Sequence, residues 1–193
     1  MTDPDLFPVF LKLAGRRVLL VGGGVVAASK LAGLLRAGAV VAVVAPAISP
    51  EIERAGVEIR RRRFRASDLD DQWLVVSAAT PAANRVVARA AGRRRLFVNA
   101  VDDPPAASAY LGGVLRRDGV TVAISTNGHA PALAGLLREG LDELLPRDLG
   151  RWVTRARAVK RRQRRAAVPM PERRPQLLQA LTRLYAARAE RVR

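Results

Sequence analysis

The chain reads as an α/β protein, with a parallel sheet in its first part and a smaller, largely helical part after it. Three observations carry this. Apolar runs of strand length alternate with stretches of helical period from Arg16 to Val101. The first run, Val18-Leu19-Leu20-Val21, opens directly into Gly22-Gly23-Gly24-Val25-Val26-Ala27. Beyond Ser108 the alternation stops, and two runs around a short turn are followed by leucine-rich and then arginine-rich helical patterns.

Phe7-Pro8-Val9-Phe10-Leu11 is apolar and is expected to form a lead-in strand or loop over a sheet edge. Val18 to Val21 has the unbroken apolarity of a strand buried on both faces. Gly22 to Ala27 matches G-x-G-x-x-A, the dinucleotide fingerprint with alanine in third place. Gly22 suits the tight turn off the strand. Gly24, lacking a Cβ, lets a pyrophosphate approach the backbone, and Ala27 lets the helix pack close to the sheet. A helix is predicted from about Val25 to Ala37, with Leu31, Leu34 and Leu35 at helical spacing and Gly38 as its stop. Its N-terminus offers free N–H groups to an anion. The second strand is Val40 to Val44. The acid that would hold a ribose 2′-OH is absent from its end, Val44-Ala45-Pro46-Ala47, which leaves NAD and NADP both open.

Ser49-Pro50-Glu51-Ile52-Glu53 predicts a short helix capped by Ser49, with Pro50 at its first position. Val57 to Phe64 reads as a third strand. Its Arg60-Arg61-Arg62-Arg63, followed by Arg65, fits an edge strand whose charges block further pairing, the alternative being a substrate-binding role. Ser67 to Asp71 is another cap and short helix. Trp73 to Thr80 is a fourth strand whose end, Ala78-Ala79-Thr80, lies where such a sheet lines its ligand crevice. Pro81 to Gly92 is a helix with Val86, Val87 and Ala90 inward, and Leu96 to Val101 is the fifth strand. Ser108 to Leu115 and Val120 to Ser125 are strands joined at Arg116-Arg117-Asp118-Gly119. Pro131 to Leu145 carries Leu133, Leu136, Leu137, Leu141 and Leu144 on one face and calls for a partner helix, for which a second subunit is a candidate. Arg147 to Arg165 is a basic helix with little core. Pro169-Met170-Pro171 breaks it, and Pro175 to Arg191 is a helix able to pack through Leu177, Leu178, Leu181, Leu184 and Tyr185.

With 193 residues, 49% of them hydrophobic, the chain can bury one good core and a smaller appendage. The absence of cysteine excludes disulfides, thiolate catalysis and cysteine-ligated metals. The acidic Met1-Thr2-Asp3-Pro4-Asp5 does not read as a signal peptide, and no apolar run approaches the ~20 residues of a membrane span. A soluble cytoplasmic protein is expected. Net charge is +17, and all but three of the 34 basic residues are arginine. A codon bias toward arginine explains this, and so does a polyanionic partner, either nucleic acid or a polycarboxylate. The guanidinium fork suits carboxylate and phosphate alike.

Asp102 and Asp103 follow the fifth strand, where ligands of open α/β sheets bind. An aspartate beside a nicotinamide could act as general acid or base, and an Asx-turn into Pro104 explains the pair as well. Ser125 and Thr126 could bind a carboxylate or phosphate, or cap a turn. His129, the single histidine, could shuttle a proton. With no acids beside it there is no metal site, and a plain structural role is favoured.

Together these residues resemble the precorrin-2 dehydrogenases: the N-terminal module of siroheme synthases and its stand-alone and yeast relatives. The resemblance is carried by Val21 to Ala27 with Lys30, by Gly38-Ala39, and by Val43-Val44-Ala45-Pro46. It continues through Ala78-Ala79-Thr80, Asn99-Ala100-Val101-Asp102 with Pro104, and Ala106-Ala107-Ser108. Ala123-Ile124-Ser125-Thr126, Gly128, Pro131, Leu133-Ala134 and Leu136-Leu137-Arg138 complete it, from about Phe7 to Gly150. It implies a Rossmann domain over 1–112, a dimerisation region over 113–147 and a basic helical domain over 148–193, assembled as a homodimer. It implies NAD as cofactor, and oxidation of precorrin-2, an octacarboxylate tetrapyrrole, to sirohydrochlorin. Fe²⁺ insertion, with the metal as substrate, occurs in some members and stays open here. The family's catalytic aspartate falls on Asp102 and its cofactor contacts on Gly22, Gly24, Val25, Val26, Pro46 and Ala47, with Thr80 on the same rim. Substrate contacts are expected at Ser125, Thr126 and His129, no resident metal is expected, and nucleic acid is disfavoured as a partner. Ala130 and His129 depart from the family pattern, as does the high charge. The chain would be the stand-alone form, without a methyltransferase domain. An NAD-binding redox sensor without turnover, and a nucleic-acid-binding protein using the basic tail, are the alternatives.

Overall fold

A computed structural model describes residues 5–189, with side chains described to residue 182. Five strands, β1 (Arg17–Val21), β2 (Val40–Val44), β3 (Glu58–Arg60), β4 (Leu74–Ser77) and β5 (Val98–Ala100), form a parallel sheet in the order β3-β2-β1-β4-β5. Val18 pairs with Val41 on one side and Leu74 on the other, so β1 is central. The central strands are apolar throughout because both faces are covered. Val18 and Leu20 share one core with Leu31 and Leu34 of α1 (Val25–Arg36). Leu19 and Val21 share the other with Val87 and Ala90 of α3 (Pro81–Arg93). The chain runs outward from β1 to β3, then returns to β4 on the far side, which puts a topological switch point between β1 and β4. α2 (Pro50–Glu53) starts at Pro50 as expected, but the Ser49 side chain makes no capping bond.

Several expectations are corrected. Phe7, Val9, Phe10 and Leu11 are exposed rather than laid over a sheet edge. The chain then enters β1 through a turn in which the Gly15 N–H donates to the Gly38 carbonyl, 2.8 Å. β3 does lie at the edge but is only three residues long. Its arginines do more than block pairing. Arg60 and Arg62 both bind the Asp68 carboxylate (2.7 and 2.6 Å), whose side chain is 1% exposed, and Arg61 pairs with Glu53. In α3 Val87 and Ala90 face inward but Val86 does not; the inward row is Asn84, Val87 and Ala91, at i, i+3 and i+7. Ser108 and Ala109 are not strand residues. Their N–H groups both donate to the Val98 carbonyl and the Ser108 hydroxyl accepts from the Val98 N–H, so they close the edge of β5.

By contacts the chain divides into two units, the first comprising Met1–Leu111 with Asn127–His129, the second Gly112–Thr126 with Ala130–Arg193. The second begins with a hairpin of β6 (Gly113–Arg117) and β7 (Val120–Ile124). Its turn residues Asp118 and Gly119 both have positive φ (50° and 83°), the geometry that matches strand twist in a two-residue turn. α4 (Pro131–Leu144) packs on β6 so closely that a Cβ on Gly113 would lie 2.8 Å from the Ala134 carbonyl oxygen. α5 (Leu149–Arg165) and α6 (Met170–Ala189) pack on each other. The buried Gln163 side chain donates to the Arg173 carbonyl, 2.9 Å. α6 starts five residues ahead of the predicted Pro175, which lies inside it. The side chains of Leu184 and Tyr185 lie outside the described residues.

Candidate dinucleotide site

The glycine turn is held by backbone. The Gly22 N–H donates to the Val44 carbonyl (3.0 Å), and the Gly23 carbonyl accepts from the Ser49 N–H (2.7 Å). Gly22 has φ +123°, and a Cβ there would stand 2.2 Å from the Ala78 oxygen. Gly23 is tighter still, its Cβ falling 1.9 Å from the Ala47 oxygen. By motif alone Gly23 is the free position; the loop after β2 makes it a required glycine. Gly24 differs from both. A Cβ there meets nothing within 4 Å, and its backbone is extended. The space over Gly24 is therefore open, as a pyrophosphate requires.

α1 starts at this opening with no side-chain cap and no acid in its first turn. Its first N–H groups have no intrahelical acceptor, and the helix dipole makes this end positive. Val25 (79% exposed) and Val26 are uncovered there, an unusual place for two valines unless a ligand covers them. Pro46 and Ala47 are exposed at the end of β2, with no carboxylate among Ala45, Pro46 and Ala47. These features fit a dinucleotide phosphate bridge.

The other carboxyl ends complete the rim. Thr80 is exposed and caps α3, its hydroxyl accepting from the Ala83 N–H at 3.4 Å. Asp102 follows β5 in the left-handed conformation, φ +56°, and is exposed. Asp103 behaves differently: its carboxylate pairs with Arg85 at 3.4 Å. The pair that looked equivalent in sequence is thus divided into one engaged and one exposed acid. Beneath them lie two buried polar residues that sequence reasoning missed, Ser77 and Asn84. The available signal was the position of Asn84, three residues before Val87 on the inward row of α3.

The substrate candidates fall in both units. Thr126, in the second, accepts the Ala130 N–H at 3.2 Å, and Ser125 beside it is exposed. His129 is exposed in the segment grouped with the first unit. Within that segment a Cβ on Gly128 would stand 2.9 Å from the Tyr110 ring, so the loop lies against Tyr110. Among the described residues no three His, Cys, Asp or Glu side chains gather to hold a metal ion.

An open glycine turn feeding an uncapped helix beside a switch point defines a dinucleotide-binding α/β protein. Comparison with known proteins makes this specific. An NAD(P)-binding family model matches residues 9–113, and a model of the sirohaem biosynthesis protein central region matches 117–144. Siroheme synthase 2 of Cronobacter sakazakii is 41% identical over 175 residues, 88% of this chain and 38% of the relative. Siroheme synthase 3 of Aeromonas hydrophila is 40% identical over 175 residues, with 88% and 37% covered. The chain thus spans about two-fifths of the length of these curated relatives. The solved structure of SirC, a precorrin-2 dehydrogenase, superposes with a TM-score of 0.70 at 25% identity, covering 90% of this chain and 88% of that one. The chain belongs to the NAD(P)-binding family of siroheme-biosynthesis modules that includes the precorrin-2 dehydrogenases.

Proposed function

We propose that this chain oxidises precorrin-2 to sirohydrochlorin with NAD. One observation carries the reading most: Asp102, an exposed acid in the left-handed conformation, lies on the same carboxyl edge of the sheet as the open glycine turn. Coverage of most of a precorrin-2 dehydrogenase of known structure supports it. Gly24, Val25 and Val26 would hold the pyrophosphate through backbone N–H groups, and Gly22, whose own N–H is bonded to the Val44 carbonyl, would line the site by shaping the turn beneath it. The backbone of Pro46 and Ala47 would meet the ribose where no acid is available, and Thr80 would line the rim. When bound, NAD supplies the nicotinamide carbon that takes the hydride. The oxidation also releases a proton, and Asp102 is the base assigned to it. Ser125, Thr126 and His129 are assigned to the substrate carboxylates, with arginines supplying the longer-range attraction.

We assign residues 1–112 to cofactor binding, 113–147 to dimerisation and 148–193 to a basic helical domain. The exposed row of Leu133, Leu136, Leu137 and Leu144 on α4 supports a second copy of the chain as its cover. No described helix is long and apolar enough to cross a membrane, and a cytoplasmic setting is the corresponding proposal. The experiment is an anaerobic absorbance assay with precorrin-2 and NAD, followed by Fe²⁺. NAD-dependent sirohydrochlorin formation supports the reading. NADH binding without turnover would replace it with a redox sensor. A further Fe²⁺-dependent change above the uncatalysed rate would add iron insertion, with iron as second substrate.

A further inference from the structure

We infer that Asn84 is the positioning residue for Asp102. Its carboxamide is 1% exposed and uses both ends. Oδ1 accepts from the Ser77 hydroxyl (2.7 Å) and from the Ala79 N–H (3.1 Å). Nδ2 donates to the Val101 carbonyl at 3.1 Å. One side chain therefore ties the end of β4, the crevice loop after it, and the peptide group that leads into Asp102.

That peptide group needs holding. A non-glycine residue at positive φ persists only where its surroundings over-determine it. At φ +56° Asp102 is such a residue, and its own side chain makes no bond that would fix it among the described residues. The Val101 N–H donates to the Ser77 carbonyl (2.9 Å), and the Asp103 N–H reaches the Ala100 carbonyl only at 3.4 Å. The Asn84 amide on the Val101 oxygen is thus the side-chain tether of this turn. Only an amide can accept at one end and donate at the other in this space. A carboxylate of the same shape would keep the Ser77 and Ala79 bonds and oppose the Val101 oxygen. An apolar side chain would leave three polar groups without Asn84's bonds.

The catalytic half of this inference rests on the proposed oxidation; the conformational half does not. The test uses Asn84→Asp, Asn84→Ala and the control Ser77→Ala in the full chain. Backbone ¹³C shifts of residue 102 report its left-handed conformation, and turnover is measured with precorrin-2. In Asn84→Asp the left-handed signature should be lost and kcat should fall at least tenfold, while the Kd for NAD stays within twofold. Ser77→Ala should keep both. If Asn84→Asp does not fold, the shifts of Asn84→Ala decide. Left-handed shifts retained in the Asn84 variants, or wild-type kcat in Asn84→Asp, would overturn the assignment. A wild-type chain without turnover would sink the proposed oxidation instead, and the shifts would still decide whether Asn84 sets the conformation of residue 102.

Discussion

Gly23 and Gly24 are adjacent glycines with opposite reasons to be glycine. A methyl group at Gly23 drives into the Ala47 carbonyl, whereas at Gly24 it enters open space. Gly23→Ala should therefore cost about 2–3 kcal/mol of stability. Gly24→Ala should leave the melting temperature unchanged and weaken NAD at least tenfold, about 1.4 kcal/mol. Thermal melts paired with NADH fluorescence titrations separate the two, and equal destabilisation by both would refute the distinction. Asp68 makes a second residue-scale case. Burial alone would raise its pKa, but bonds from Arg62, the Arg65 N–H and Arg60 outweigh burial and hold it at about 2, against an ordinary 3.8. A lowered carboxyl pKa stabilises the fold at pH values above the unfolded one and loses that contribution as pH falls toward 2. The contribution is about 2 kcal/mol at neutral pH. Asp68→Asn should cost about 3 kcal/mol, because it leaves Arg60 and Arg62 without their shared partner. It should also flatten the loss of stability between about pH 4 and pH 2, as read by denaturant titrations at several pH values.

At the scale of elements, the short third strand and α4 make the point. β3 ends at Arg60, and of the arginines that follow, Arg61 turns to Glu53 and Arg62 to Asp68 rather than toward another strand. α4 buries Ala134 alone among its residues and leaves Leu136 65% and Leu144 76% exposed. If a second copy covers this row, Leu136→Glu should shift the protein from dimer to monomer in sedimentation while the far-UV spectrum stays the same. An unchanged dimer would place the interface elsewhere. The hairpin is fixed by different means. Asp118 turns at φ 50° and accepts the Gly150 N–H at 3.0 Å, so it both shapes the turn and anchors the start of α5. Asp118→Ala should lower stability by about 1–2 kcal/mol, checked by chemical denaturation.

At the scale of the molecule, charge is the dominant quantity. A net +17 attracts any polyanion, and an octacarboxylate substrate would feel it over roughly a Debye length. Raising salt from about 0.05 to 0.3 M, which shortens that length from about 14 to 6 Å, should raise the KM for the tetrapyrrole severalfold with little change in kcat. A KM independent of salt would leave the arginines without a role in substrate capture.

The parallel sheet, the glycine turn, the helix behind it and the hairpin are all readable in the residue pattern. Each is written in local terms: an unbroken apolar run, a glycine where a ligand approaches, an Asp-Gly pair at a twist-matched turn. That Asp102 and the rim residues follow strand ends was legible because a strand end is a local event, whereas the choice of Asp102 over Asp103 came from the family resemblance. Tertiary structure alone decided that Gly23 is obligatory, that Arg60 and Arg62 serve a buried carboxylate, that Asp103 is engaged while Asp102 is exposed, and that Asn84 ties the turn. In each case the deciding partner is distant in the chain or lies across a turn: Ala47 for Gly23, Arg85 for Asp103, Val101 for Asn84. Periodicity reports which face a residue occupies. What meets that residue depends on how strands are ordered in the sheet, and that order emerges only when the two cores close on opposite faces of β1.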